Sequence, residues 1–192
     1  FETVEKATGF DIWLLRPERP ADPPVHLVHS AASENDPRIS PDGRWLAYAS
    51  NESGRSEIYV VSLPDARTKY QVTTEGGRHP IWTRGGRELF YMTSAYAVAA
   101  VAVTPGETLT FRSPVTLFPQ PRPNWGTGAD QALFDVTADG DRIVVLVPEN
   151  QGSQTLVVVS DWLSELGRGG RRRPLIGRPS VLSASGEMDA DS

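Results

Sequence analysis

Residues 40–48 read SPDGRWLAY, a tight turn that leads directly into an apolar strand. Pro41 presets the backbone for the first corner of the turn, and Asp42 forms local hydrogen bonds. Gly43 can take the positive φ that a side chain would resist. Beyond the turn, apolar residues recur at alternate positions from Trp45, which suits packing between neighbouring sheets. The stretch therefore predicts a tight hairpin within an all-β fold.

The same unit recurs twice along the chain. Residues 83–91 read TRGGRELFY, where Gly85 and Gly86 supply the backbone freedom without the aspartate, and residues 137–145 read TADGDRIVV, where Asp139 and Gly140 repeat the Asp-Gly device. The turn glycines at 43, 86 and 140 lie 43 and 54 residues apart. The first spacing is typical of a four-stranded propeller blade, at roughly 40 to 45 residues, and the second leaves about ten residues of insertion.

Short apolar and β-branched runs between the turns predict thirteen strands, from Asp11–Arg16 to Thr155–Ser160. We therefore expect an all-β partial β-propeller of about three four-stranded antiparallel blades. The blade repeats are predicted at about 10–50, 51–94 and 95–166. This falls short of a closed ring, so an open arc that pairs with missing blades of the same polypeptide is expected. Residues 167–192 hold few apolar groups and are predicted to be disordered.

Composition excludes several classes of function. The 192 residues include 24 acidic and 19 basic side chains, and this net charge of −5 argues against a nucleic-acid binder. No apolar run approaches the roughly 18 residues of a membrane span. The absence of cysteine removes disulfides, thiolate metal sites and cysteine nucleophiles together. We predict no nucleic-acid partner and no membrane span within this chain.

The titratable residues indicate structure rather than chemistry. His26 and His29 lie three apart, which on a strand places them on opposite faces, and His79 has no ligand pattern around it, so all three are interpreted as structural or surface residues. Asp42, Asp139 and Asp141 suit turn formation better than acid–base or calcium chemistry, and no nucleophile elbow of the Gly-x-Ser-x-Gly type occurs. The sequence therefore predicts no catalytic residue, no metal and no cofactor.

Trp125 is the one candidate contact residue. It lies in a long proline-rich loop, predicted over 105–130, and an amphipathic aromatic residue on a loop is a frequent recognition anchor. Trp13, Trp45 and Trp82 are instead predicted to belong to the core between blades. A protein or peptide partner that contacts Trp125 is the partner hypothesis that the sequence offers.

The turn at 40–43 and the strand after it, together with the Ile58-Tyr59 strand beyond the next turn, resemble the TolB-type, WD-like propeller repeat. The turns at 83–86 and 137–140 depart from that repeat, since neither has the proline and the first also lacks the aspartate. A wider set of motifs is similar, in this order, to the C-terminal propeller of bacterial membrane-anchored serine/threonine protein kinases: DIW at 11–13, EGG at 75–77, GRELFY at 86–91, FDV at 134–136 and VVVSDWLSEL at 157–166.

This resemblance implies a non-catalytic scaffold for protein or ligand binding, the sensory or regulatory part of a larger bacterial serine/threonine kinase-like signalling protein. It also implies an extracytoplasmic location. Any kinase activity would belong to an upstream domain of the same polypeptide, because no kinase motif occurs in this chain. The alternative is the propeller domain of a prolyl-oligopeptidase-like serine peptidase, which gates access of substrate to a fused hydrolase.

Overall fold

The computed structural model describes residues 2–5, 9–119 and 134–145 of the chain. Within these ranges it contains fourteen strands, paired antiparallel, and a short 3-10 helix at Arg84–Gly86. None of the helical structure in this part of the chain is long or apolar enough to cross a membrane. The strands are β1 (Glu2–Glu5), β2 (Gly9–Leu14), β3 (Val25–Val28), β4 (Glu34–Ile39), β5 (Trp45–Ser50), β6 (Glu57–Ser62), β7 (Lys69–Gln71), β8 (Arg78–Thr83), β9 (Glu88–Met92), β10 (Ala97–Thr104), β11 (Thr110–Phe111), β12 (Val115–Pro119), β13 (Phe134–Val136) and β14 (Ile143–Val145).

The strands form four sheets, which we number I to IV. Sheet I has the order β1-β2-β3, sheet II the order β4-β5-β6-β7, and sheet IV contains β13 and β14. Sheet III has the order β8-β9-β10, with β12 paired to the first half of β10 and the short β11 to its end. In sheet II four successive strands pair in order, and in sheet III β8, β9, β10 and β12 pair in order, with the short β11 between the last two along the chain. Both sheets have the up-and-down arrangement of a propeller blade. The prediction of an all-β partial propeller is confirmed.

The sheets begin and end at other positions than the predicted blade repeats. Sheet II spans residues 34–71 and sheet III spans residues 78–119, so the predicted boundaries near 50 and 94 fall inside sheets, at the β5–β6 and β9–β10 hairpins. The reason is that the recurring turn joins the first and second strands of each sheet, and therefore does not mark its edge. β1 and β11 were not predicted, because one is polar and the other has two residues. The predicted strand Thr155–Ser160 and the tail 167–192 lie outside the described residues.

The central strands bury both of their faces. In β5, the face that carries Trp45 packs toward sheet III, and the face that carries Leu46 and Tyr48 packs toward sheet I. In β9, Leu89 packs toward sheet II and Phe90 toward sheet IV. Successive sheets therefore stack face to face, as blades do, with one apolar core between each pair. Trp45 and Trp82 lie in the core between sheets II and III, as predicted.

The turn at residues 40–43 has the hydrogen bonds that the sequence indicates. Ser40 donates its Oγ hydrogen to Asp42 Oδ1 at 2.5 Å, and the same carboxylate accepts from the Arg44 backbone N–H at 3.1 Å. Gly43 has a φ of 71°. The turn at 137–140 repeats the arrangement, since Thr137 donates to Asp139 and Gly140 has a φ of 74°. Two of the three repeats thus share one turn geometry.

We predict that Gly43→Val lowers the free energy of unfolding by about 1–2 kcal/mol, because the left-handed backbone conformation is costly for a side-chain-bearing residue. A Cβ atom at Gly43 would meet nothing within 4 Å, so the loss comes from the backbone alone. Gly43→Asn is the control, since asparagine tolerates this conformation and should cost less. Urea denaturation of both variants checks this, and equal midpoints would contradict the assigned geometry.

The third turn, at residues 83–86, has Arg84 and Gly85 in place of the Pro-Asp pair. Arg84 takes a φ of 50°, and its backbone N–H donates to Ala138 O at 2.8 Å. Its guanidinium lies 2.5 Å from Asp141 Oδ1 in the turn of sheet IV, and its Nε lies 3.1 Å from Glu88 Oε2 without hydrogen-bond geometry. The departure from the repeat therefore connects sheet III to the turn of sheet IV.

Candidate functional site

A cleft of about 590 Å³ lies where the first strands of sheets II and III begin. We call it the three-sheet cleft, because Phe10 comes from sheet I, Arg78 and His79 come from sheet III, and the other residues come from sheet II and its connections. Its volume is in the range of small-ligand sites in proteins. It is lined by Phe10, Ser33, Asn35, Asp36, Ala49, Asn51, Gly54, Arg55, Ser56, Arg78 and His79.

Two β-bulges occupy the same position in the first strands of sheets II and III. The pairing register shifts between Asn35 and Arg38 in β4 and between Arg78 and Ile81 in β8. Within these bulges, Asp36 and His79 take φ values of 56° and 52°. Positive φ is uncommon for residues other than glycine, and such strain is concentrated at functional sites. Bulges also re-aim side chains next to such sites.

The two bulge residues bind each other across the boundary between sheets II and III. Asp36 Oδ2 lies 3.0 Å from His79 Nδ1 and accepts from the His79 backbone N–H at 3.2 Å. Burial alone would raise the pKa of Asp36, but the hydrogen bonds and charge of His79, together with the charge of Arg38, lower it below its ordinary value. Asp36 is therefore ionised at neutral pH, and the imidazole of His79 is held in one orientation.

We predict that Asp36→Asn lowers the free energy of unfolding by about 1–3 kcal/mol at pH 7, since a charge-assisted pair is lost. Because the folded-state pKa of Asp36 is lowered, its contribution is present above the ordinary carboxyl pKa and is lost as the pH falls through the lowered one. Urea titrations at pH 7 and pH 3 check this, and the gap between variant and wild type should shrink in acid. Asp65→Asn, which removes an exposed pair with Arg67, is the control. An unchanged gap would contradict the assignment.

Arg55, on the cleft wall, belongs to a network that fixes the connection between sheets II and III. Its Nε lies 2.7 Å from Glu57 Oε1, and its Nη2 donates to Thr74 O. Glu57 is 1% exposed, and its two oxygens accept from Gly76 N at 3.0 and 2.9 Å. Thr73 Oγ1 donates to it at 2.5 Å. This buried carboxylate holds residues 73–76 immediately before β8, and so positions the bulge that carries His79.

A second titratable cluster lies between sheets I and II. Asp11 and Glu34 are 1% and 0% exposed, and His26 Nε2 lies 3.5 Å from Asp11 Oδ2. Burial raises the pKa of Glu34, a hydrogen bond from Ser30 partly offsets this, and the neighbouring Asp11 raises it further. No group of three potential metal ligands forms anywhere among the residues that the structure describes. We interpret this cluster as part of the packing between the two sheets.

The prediction that His26 and His29 face opposite ways is wrong. β3 ends at Val28, so His29 is not on the strand, and its ring stacks on that of His26 with centroids 4.2 Å apart. His26 in turn stacks on Trp13 at 4.1 Å. The predicted core position of Trp13 is also wrong. Its ring is half-buried and lies outside the three apolar cores.

The structure places the predicted turn residues away from the three-sheet cleft. Pro41, Asp42 and Gly43 follow the end of β4, Gly85 and Gly86 follow the end of β8, and Asp139 and Gly140 follow β13, whereas the cleft lies where β4 and β8 begin. Trp125, the predicted partner contact, lies outside the described residues. Asp36 and His79 were not predicted as site residues. Their signal was an X-Pro dipeptide, Asp36-Pro37 and His79-Pro80, repeated at the 43-residue spacing of the turns.

No family model matches this chain, and no curated protein matches it. The solved structures to which it is similar include the following three. A protein provisionally named TolB from Agrobacterium tumefaciens matches with a TM-score of 0.44 and 19% identity over 56% of this chain and 42% of the other. A protein provisionally named a 6-phosphogluconolactonase, from Bacteroides uniformis, matches with a TM-score of 0.49 and 17% identity over 80% and 44%. TolB from Acinetobacter baumannii matches with a TM-score of 0.40 and 17% identity over 80% and 47%. The matches span less than half the length of each of these proteins.

Proposed function

We propose that this chain is a non-catalytic β-propeller scaffold that binds a protein or ligand at the three-sheet cleft. The observation that carries the proposal is the pairing of Asp36 with His79, two residues that line the cleft and have positive φ values. Such backbone conformations persist where the surrounding structure fixes them, and they are typical of binding and catalytic positions. A site built from three successive sheets also makes use of what a propeller provides, which is a rigid frame.

Of these two kinds of position, the contacts of the cleft favour binding. An Asp–His pair serves catalysis when a serine or other nucleophile contacts the second ring nitrogen. Among the described residues, no hydroxyl group is hydrogen-bonded to His79. The two cleft serines have other partners, since Ser33 Oγ accepts from Phe10 N at 3.3 Å and Ser56 Oγ donates to Gly77 O at 2.9 Å. The pair is therefore proposed to shape the cleft and not to activate a nucleophile.

The test is an assay of the purified chain for ATP-dependent phosphorylation and for peptide hydrolysis. We expect no turnover of either kind. Turnover that survives purification and disappears in His79→Ala or Ser56→Ala would overturn the proposal. Glu107→Gln, which changes an exposed residue away from the cleft, is the control for nonspecific loss.

For the protein as a whole, we propose the regulatory C-terminal part of a bacterial serine/threonine kinase-like protein, on the extracytoplasmic side of the membrane. The ordered set of motifs from DIW at 11–13 to FDV at 134–136 supports this context. The propeller of a prolyl-oligopeptidase-like peptidase is the second candidate, favoured by the same type of repeat. Coding sequence on either side of this chain tests the two, because the first requires an upstream kinase domain and membrane helix and the second requires a downstream hydrolase.

A further inference from the structure

Arg78 is the uncompensated charge of the three-sheet cleft. Its exposed side chain lines the cleft, and it forms no hydrogen bond or ion pair with any residue in the described part of the chain. The other charged groups in the lining have partners, since Arg55 lies 2.7 Å from Glu57 and Asp36 lies 3.0 Å from His79. Arg78 is thus the charged side chain of the lining without a partner in the described part of the chain, and the chain as a whole carries a net charge of −5.

The amide of Asn51, another residue of the cleft lining, adds hydrogen-bond donors to the cleft. Asn51 Oδ1 accepts from Ser33 N at 2.8 Å, which fixes the orientation of the side-chain amide. Both hydrogens of the Asn51 amide nitrogen are without a partner among the described residues. A guanidinium and an amide that both donate suit an oxyanion, and the fork of an arginine matches the two oxygens of a carboxylate. A single unpaired guanidinium, in a lining that also holds the ionised Asp36, suits a monoanion better than a dianion such as phosphate.

Phe10 gives the cleft an apolar wall. Phe10 is 39% exposed and lines the cleft. Apolar surface that it covers on binding would add to affinity at about 25 cal/mol per Å². A cleft with a free arginine and an exposed aromatic ring therefore favours ligands that carry both an anionic and an apolar group.

We propose that the three-sheet cleft binds an organic monocarboxylate that carries an apolar or aromatic group, with Arg78 holding the carboxylate and Phe10 contacting the apolar group. This inference rests on the proposed function, since it names the ligand class of the same cleft. Such a carboxylate occurs in two sources, a small aromatic acid and the C-terminus of a peptide. The chemistry that Arg78 and Phe10 recognise is the same in both.

The experiment titrates the full chain, by calorimetry, with four probes. N-acetylphenylalanine represents a peptide C-terminus, 3-phenylpropanoate represents a free acid, N-acetylphenylalaninamide is the neutral match of the first, and inorganic phosphate is the dianion without an apolar group. We expect both carboxylates to bind, and the amide and phosphate to bind about tenfold more weakly or not at all. The tighter of the two carboxylates identifies the source. Equal affinity for N-acetylphenylalanine and its amide would overturn the proposal, as would failure of both carboxylates to bind.

Variants locate the site. Arg78→Gln should lower carboxylate affinity about tenfold, whereas Arg87→Gln, an exposed arginine outside the cleft, should leave it unchanged. Phe10→Ala should weaken both carboxylates. Urea midpoints equal to wild type show that these exposed substitutions leave the fold intact. Equal losses of carboxylate affinity in Arg78→Gln and Arg87→Gln would overturn the assignment of the site to the three-sheet cleft. If neither carboxylate binds and no turnover is found, the proposed ligand class is overturned and the scaffold proposal stands. Turnover that depends on a residue of the chain would instead overturn the proposed function.

Discussion

Trp45→Ala is expected to lower the free energy of unfolding by about 3–5 kcal/mol, a large fraction of the 5–15 kcal/mol of a typical domain. Trp45 is 4% exposed and lies in the core between sheets II and III, where its ring is 5.8 Å from that of Tyr70. Truncation leaves a cavity between two stacked sheets, and rigid sheets collapse poorly into such a space.

Two matched variants separate burial from residue type. Trp13→Ala removes the same side chain from a half-buried position against His26, and should cost about 1 kcal/mol. Trp45→Phe should cost less than Trp45→Ala. The buried Nε1 of Trp45 has no hydrogen-bond partner among the described residues, so its removal leaves no acceptor unpaired. Urea unfolding followed by far-ultraviolet circular dichroism measures all three. If Trp13→Ala and Trp45→Ala shift the midpoint equally, the stacking of sheets II and III is wrong.

Glu57→Ala is expected to cost about 3–5 kcal/mol, since it removes the buried partner of several donors at once. Gly76 N and Thr73 Oγ1 would lose their acceptor, and Arg55 would lose its ion pair. Glu52→Ala, which breaks a more exposed pair with Lys69, should cost about 0–1 kcal/mol and is the control. Urea unfolding of both variants measures the difference.

Glu57→Ala should also loosen the connection that precedes β8, because residues 73–76 are held by this carboxylate. Hydrogen exchange at Gly76 and His79 should quicken in Glu57→Ala and stay unchanged in Glu52→Ala. Protection at these two amides that equals wild type in both variants would show that the carboxylate does not position the cleft.

The sequence predicted strands and turns well because their signals are local. Trp45–Ser50 and Glu57–Ser62 were placed at their observed bounds, since apolar runs and turn residues delimit them on both sides. The repeat boundaries were displaced, because the turn at 40–43 marks a hairpin within a sheet and nothing local distinguishes that hairpin from the next.

The cleft could not be predicted in the same way. The pairing of Asp36 with His79 joins residues 43 apart, and it depends on bulges that turn two side chains toward each other. Aspartate and histidine adopt positive φ more often than most residues, but neither indicates it as strongly as glycine does. Arg78 was equally inconspicuous, because its role depends on which other charges in the cleft are already paired. These are properties of assembled sheets rather than of segments.

Arg84 shows that the repeats of this fold are not interchangeable, because its turn makes contacts that the repeated Pro-Asp-Gly turn could not make. A consensus design would rewrite residues 83–86 as the Pro-Asp-Gly turn and improve that hairpin taken alone. The same edit would delete the guanidinium that reaches Asp141 and the backbone geometry that places Arg84 N on Ala138 O. The contacts between the turn of sheet III and the turn of sheet IV would then be lost. The irregular turn therefore makes the contact between sheets III and IV different from the contact between sheets II and III.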